Sequence, residues 1–130
     1  MIGAIIGDII GSPYEFDYNN IKTTEFPLFS IKSTPTDDSV MTIAIALGFV
    51  DFLKENDGLT RTKEEALKKC LIRRVKQMGI AFSDSGYGGR FRHWLFSNET
   101  KPYGSYGNGS AMRVSSAAWL FNSLGDVEYA

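Results

Sequence analysis

Charge of one sign, cysteine and histidine are what this sequence has least of. Its 130 residues carry a formal net charge of only −1, so no global field draws in nucleic acid or an anionic membrane. The single cysteine, Cys70, excludes an intrachain disulfide. It falls on the apolar side of a charged helical pattern with no partner motif, which makes it a small core residue and points to a reducing, cytoplasmic setting. The single histidine, His93, follows Arg92 in an aromatic stretch; packing is its expected role, and no Ser/His/Asp or Cys/His arrangement is supported. Long apolar runs are also missing. The longest, Val40 to Val50, is well short of the roughly 20 residues a membrane span needs. Asp8 interrupts the apolar amino terminus and no basic residue precedes it, so no signal peptide is expected.

What is present is an ordinary globular composition, 43% apolar and 22% charged, in a length that suits one domain. Five helical patterns follow one another. No strand-like alternation of convincing length occurs, although 26–31 could form a short extended segment, and the expected fold is all-α. The first helix covers Ile2 to Gly11 and stops before Ser12-Pro13. Its Gly3, Gly7 and Gly11 predict a buried helix closely approached by its neighbours. Residues 12–35 are irregular, punctuated by Pro13, Pro27 and Pro35. The second helix opens at Thr36-Asp37-Asp38-Ser39, residue types that suit the free amides and positive dipole end of a helix start. It continues apolar on almost every side to Leu53, as a central core helix does. The third has Thr62 and Glu65 at capping-box spacing and an apolar stripe of Leu67, Cys70, Leu71, Val75 and Met78. Its other face, Lys68, Lys69, Arg73, Arg74 and Lys76, reads as solvated surface in preference to a nucleic-acid contact. A short aromatic helix covers Phe91 to Phe96, and an apolar one follows residue 110 and runs through Leu124. Gly125 reads as its stop and 126–130 as the first turn of another, so the domain reads as cut short at its carboxyl end.

The unusual chemistry sits at helix starts and in loops. Adjacent carboxylates, as in Thr36-Asp37-Asp38, repel unless a positive charge lies between them, and hard divalent cations favour oxygen ligands. The alternative is simple helix capping. Asp8, among isoleucines and glycines, is costly to bury without a partner; it either caps neighbouring amides or meets a cation such as Arg113. Glu15 follows a proline turn that aims it towards a cleft. Gly107-Asn108-Gly109-Ser110, directly before an apolar helix, has the ingredients of an anion site, because glycine lets backbone amides approach and the helix dipole favours phosphate. Tyr103 and Tyr106 nearby could stack on a base or cover a sugar. Gly86-Tyr87-Gly88-Gly89 is a second glycine-rich loop.

Read in order, Gly7-Asp8 with Gly11-Ser12-Pro13-Tyr14-Glu15, then Thr36-Asp37-Asp38-Ser39-Val40-Met41-Thr42, then Gly86-Tyr87-Gly88-Gly89-Arg90-Phe91, then Gly107-Asn108-Gly109-Ser110-Ala111-Met112-Arg113, the chain resembles the ADP-ribosylglycohydrolase family. The resemblance covers most of residues 1–130 as the amino-terminal part of one domain. It implies a compact all-α hydrolase with a pair of magnesium, sometimes manganese, ions, removing ADP-ribose from a protein or small-molecule acceptor by cleavage at the ribose C1. By resemblance, Thr36, Asp37 and Asp38 are metal ligands, and Glu15 and Asp37 are catalytic. Gly86, Gly88, Gly107, Asn108, Gly109, Ser110 and Met112 would contact the substrate. The family completes its metal site with a carboxyl-terminal Asp-x-Asp-Thr/Ser motif, and no Asp-x-Asp occurs in this sequence. The alternative expectation is therefore an inactive relative that binds ADP-ribose or serves structurally. Self-association through uncovered apolar surface is expected as well.

Overall fold

The computed structural model describes residues 1–15, 20–58, 60–121 and 123–129, so positions 16–19 of the irregular segment lie outside the described residues. Among the described residues the chain is all-helical: α1 (Ile2–Gly11), α2 (Asp37–Glu55), α3 (Glu64–Ala81), α4 (Gly89–Phe96), α5 (Gly109–Leu120) and α6 (Leu124–Tyr129). Single 3-10 turns occupy Ser12–Tyr14 and Arg61–Lys63. No strand forms at 26–31, which is a run of bends closed by a turn in which the Ser33 amide donates to the Ser30 carbonyl at 3.0 Å.

α2 is the central element, packed chiefly against α3 and α5 and also against α1. Its amino-terminal half buries Val40, Met41 and Ala44 with Val75 of α3, Phe91, Trp94 and Leu95 of α4, and Tyr87. Its carboxyl-terminal half buries Phe49 and Phe52 with Leu67, Cys70 and Ala117, so Cys70 is the core residue the sequence suggests. The α2–α3 crossing is close because of Gly48: a Cβ there would lie 3.0 Å from the Leu71 Cα and 2.9 Å from its Cδ2. Gly48→Ala therefore forces two backbones apart. Overpacking of about 1–3 kcal/mol outweighs the better helix propensity of alanine, about 1 kcal/mol. Gly3→Ala, with nothing within 4 Å of its added carbon, should instead stabilise by about 0.5–1 kcal/mol. Urea unfolding of the two variants should give opposite signs; two gains would mean the crossing is loose.

Charged residues of α3 hold neighbouring elements. Asp51 of α2 accepts from Arg73 Nη2 at 3.0 Å, from Arg74 Nε at 2.5 Å and from Arg74 Nη2 at 2.9 Å; these guanidinium hydrogen bonds hold its carboxyl down at about 2. Lys76 Nζ donates to the carbonyls of Trp94 at 3.0 Å and Ser97 at 2.6 Å, closing the carboxyl end of α4, and lies 4.5 Å from the Trp94 ring centre. His93 lies exposed on α4.

Three local expectations differ from the structure. Thr62 falls inside the 3-10 turn, so α3 starts after Lys63 without a side-chain cap; the Thr62 hydroxyl pairs with Thr60 at 2.9 Å, and Glu65 pairs with Lys68. α5 ends at Leu120, where Phe121 turns extended, and Gly125 lies within α6 instead of stopping a helix. Finally, α1 has no buried residue, and its three glycines have nothing within 4 Å of where a Cβ would be. Gly7 and Gly11 line a cleft where the glycine spacing predicts a tight helix contact.

Candidate functional site

Asp8 of α1 hydrogen-bonds to the start of α2. The first amides of a helix have no carbonyl partners within it, and Asp8 supplies an acceptor from outside. Its Oδ2 accepts from the Thr36 amide at 2.9 Å, from the Ser39 amide at 3.1 Å and from the Ser39 hydroxyl; its Oδ1 accepts from the Thr36 hydroxyl at 2.5 Å. Of the two roles open to Asp8, capping is the one it has. Thr36 is also the N-cap of its own helix, its hydroxyl oxygen accepting from the Asp38 amide at a long 3.4 Å.

Past α1 the chain turns through Ser12–Tyr14. Ser12 Oγ donates to the Ile9 carbonyl and accepts from the Thr34 amide, both at 3.0 Å, which ties this turn to the segment that leads into α2. Glu15 follows at once. One carboxylate oxygen each from Asp8, Glu15 and Asp38 lie within 4.8 Å of one another; Asp8 and Asp38 are half-buried and Glu15 is exposed. Burial, then the charges of Asp8, Asp37 and Asp38, push the Glu15 carboxyl up. Burial and then Asp8 do the same to Asp38.

These carboxylates stand in a cleft of about 430 Å³ between α1 and α5, whose other lining includes Gly7, Gly11, Thr42, Met112 and Ser115. α5 is fastened opposite by two hydrogen bonds: Thr42 Oγ1 donates to the Met112 carbonyl at 2.7 Å, and Ser116 Oγ to the Thr42 carbonyl at 2.9 Å. Among the described residues no lysine, arginine or histidine lines the cleft. Three carboxylates this close, only one of them capping a helix, favour a positive ion beside them. An all-oxygen set of this kind suits a hard divalent cation, so the residues present fit a magnesium or manganese ion.

Asp37 faces a different neighbour. Its amide donates to the Ser85 carbonyl at 2.7 Å, and a Cβ on Gly86 would lie 3.9 Å from its carboxylate. Gly86 has φ +96, a conformation that favours glycine, and so carries the second glycine loop past Asp37. Burial and then Asp38 push the Asp37 carboxyl up, while the field of Arg113 acts against them. Gly88 is the residue before α4, and Asn108 the residue before α5, without a side-chain cap. Gly107, Asn108 and Ser110 are exposed and Gly109 is half-buried at the start of α5. Met112 alone of the expected substrate contacts lines the carboxylate cleft.

The structure thus brings Glu15 and Asp38 together, sets Thr36 beside them through Asp8, and leaves Asp37 between this group and the loop at 85–88. Asp8 is the member that sequence reasoning did not assign to the site. Its signal was a carboxylate kept within an isoleucine and glycine helix. A family model described as ADP-ribosylglycohydrolase matches residues 1–130. Comparison with curated proteins and with solved structures returns no match.

Proposed function

The chain belongs to the ADP-ribosylglycohydrolase family, and from that premise we propose that it hydrolyses the bond between a ribose C1 of ADP-ribose and an acceptor, with a divalent cation held by carboxylates. The observation that carries this reading is the convergence of Asp8, Glu15 and Asp38 within 4.8 Å of one another at the wall of a cleft. Asp8 and Asp38 are the proposed anchors, with Thr36 and Asp37 flanking them. When bound, magnesium or manganese supplies a fixed positive charge against which ribose hydroxyls orient.

Glu15 is the exposed member, and every neighbouring carboxylate raises its affinity for a proton. It acts as general base on the attacking water. Asp37 faces the positive charge that develops on the sugar ring as the bond stretches. The free amides at Gly109 and Ser110, opening α5 after Gly107 and Asn108, hold the diphosphate and so fix the reacting end. Gly86 and Gly88 border the substrate without side chains that would fill its space.

No described helix is long and apolar enough to cross a membrane; a cytoplasmic setting with Cys70 reduced is part of this reading. So is self-association, because Ile2 of α1 and Val114 and Trp119 of α5 are left 73%, 60% and 74% exposed.

Calorimetric titration of ADP-ribose into the chain, first with magnesium and then with chelator, tests the proposal together with release of ADP-ribose from modified peptides. Magnesium-dependent binding and turnover are expected. Binding without turnover returns the alternative of an inactive ADP-ribose-binding relative, and no binding in either condition removes both.

A further inference from the structure

A second cleft, of about 440 Å³, opens between α2, α3, α4 and the segment 100–103, away from the carboxylates. Its walls are apolar, with Ile72 and Val75 on one side and the rings of Phe91, Trp94 and Tyr103 on another. The charged residues that line it are all cations: Lys68, Lys101 and Arg113. Lys68 is already paired with Glu64 at 2.5 Å. Arg113 is not paired. Its Nε is buried without a hydrogen-bond partner, and the guanidinium makes no ion pair among the described residues. What it does touch is the Phe91 ring, 4.8 Å from the ring centre. Burial pushes its pKa down, although Tyr103, Asp37 and Tyr87 oppose that.

Arg113 is half-buried with its Nε buried and unpartnered, and structures satisfy such groups with hydrogen bonds and counter-ions. A guanidinium presents a planar set of donors that matches a carboxylate. Flat rings are the natural filling for the aromatic side of the cleft, where Trp94 and Tyr103 lie 6.2 Å apart, tilted by 37°. We propose that this cleft binds a small aromatic carboxylate, its ring against Trp94 and Tyr103 and its carboxylate on the Arg113 guanidinium. Lys101 at the same cleft adds long-range attraction for the anion. The cleft shares no lining residue with the carboxylate cleft, but it borders the proposed glycohydrolase site, because the Arg113 guanidinium lies beside Gly109 and its field reaches Asp37.

Two probes of equal size separate the charge from the ring: 2-naphthoate and 2-naphthalenemethanol, titrated into the full chain by nitrogen-detected NMR and tryptophan fluorescence. The carboxylate should bind about tenfold or more tightly than the alcohol, as a hydrogen bond to a buried charge predicts. It should move the Arg113 Nε–H and Trp94 indole N–H signals. Arg113→Gln should bring naphthoate down to the affinity of the alcohol and leave the alcohol unchanged. Equal affinities in the unaltered chain, or shifts confined to the exposed apolar residues of α1 and α5, would overturn the proposal. That comparison needs no variant, so it stands even if Arg113→Gln does not fold.

Discussion

Replacing Glu15 with glutamine should lower turnover by about two to four orders of magnitude, the usual contribution of a positioned general base, and leave ADP-ribose affinity within a few-fold. Glutamine keeps the size and hydrogen-bonding reach of glutamate but cannot take a proton. Glu15 is the exposed member of its group, with Asp8 and Asp38 half-buried behind it, so its loss leaves two anchoring carboxylates. The pH profile carries the sharper test. Burial and three neighbouring carboxylates raise the Glu15 pKa in the ion-free chain and a bound cation acts the other way, so activity should fall on the acid side as Glu15 takes up a proton. In the glutamine variant this limb should vanish and leave a lower, flatter profile. A variant whose rate falls but whose acid limb persists would move the base to Asp37 or Asp38, whose carboxyls are raised as well. Unchanged kcat would remove Glu15 from the chemistry.

How much of this was legible in the sequence depended on the range of the interaction concerned. The helix periods of α2 and α3 and the start of α2 at Thr36-Asp37-Asp38 were readable because they are set by neighbours within one or two turns. The all-α fold and the core position of Cys70 follow from the same patterning. The start of α3 was not readable, because the 3-10 turn at Arg61–Lys63 takes Thr62 out of the capping position by a single residue. The role of the α1 glycines was not readable either. Spacing shows that small residues share a face, but not whether that face meets a helix or a cleft. Within the site, Glu15 and Asp38 could be named one by one, whereas their meeting with Asp8 depends on a contact across 31 positions between Asp8 and Ser39. The fastening of α5 to α2 by Thr42 and Ser116 is of the same kind, two hydrogen bonds spanning 70 and 74 positions. No local pattern encodes it.

Asp8 joins stability to the site, and Asp8→Ala should show both in one variant. The substitution removes the acceptor for the Thr36 and Ser39 amides and hydroxyls. Ser39 is only 2% exposed and Thr36 8%, so water cannot readily replace the lost partner. Each buried group left unpaired costs about 1–3 kcal/mol. Relief of the repulsion between Asp8, Glu15 and Asp38 acts in the opposite direction, but those carboxylates are partly solvated and the relief is the smaller effect. A net loss of about 3–5 kcal/mol is expected, or roughly 11–18 °C in Tm for a chain of this size. Asp8→Asn keeps one acceptor oxygen and should lose about half as much. The same change alters proton linkage. A carboxyl with a raised folded pKa costs stability where it is ionised, and that cost disappears as pH falls through the raised pKa towards its unfolded value. The unaltered chain should therefore gain stability from Glu15 and Asp38 as pH is lowered through their raised values towards the ordinary carboxyl range, above the acid loss expected from Asp51. In Asp8→Ala this gain should shrink, because Asp8 is one cause of both shifts. Magnesium should raise the Tm of the unaltered chain by about 10 °C at a hundredfold excess over its Kd, and raise that of the variant far less. Thermal melts across pH, with and without the ion, read all of these at once. If Asp8→Ala melts like the parent and keeps its response to magnesium, then Asp8 neither fastens α2 nor anchors a cation. The site would have to be rebuilt on Thr36, Asp37 and Asp38 alone.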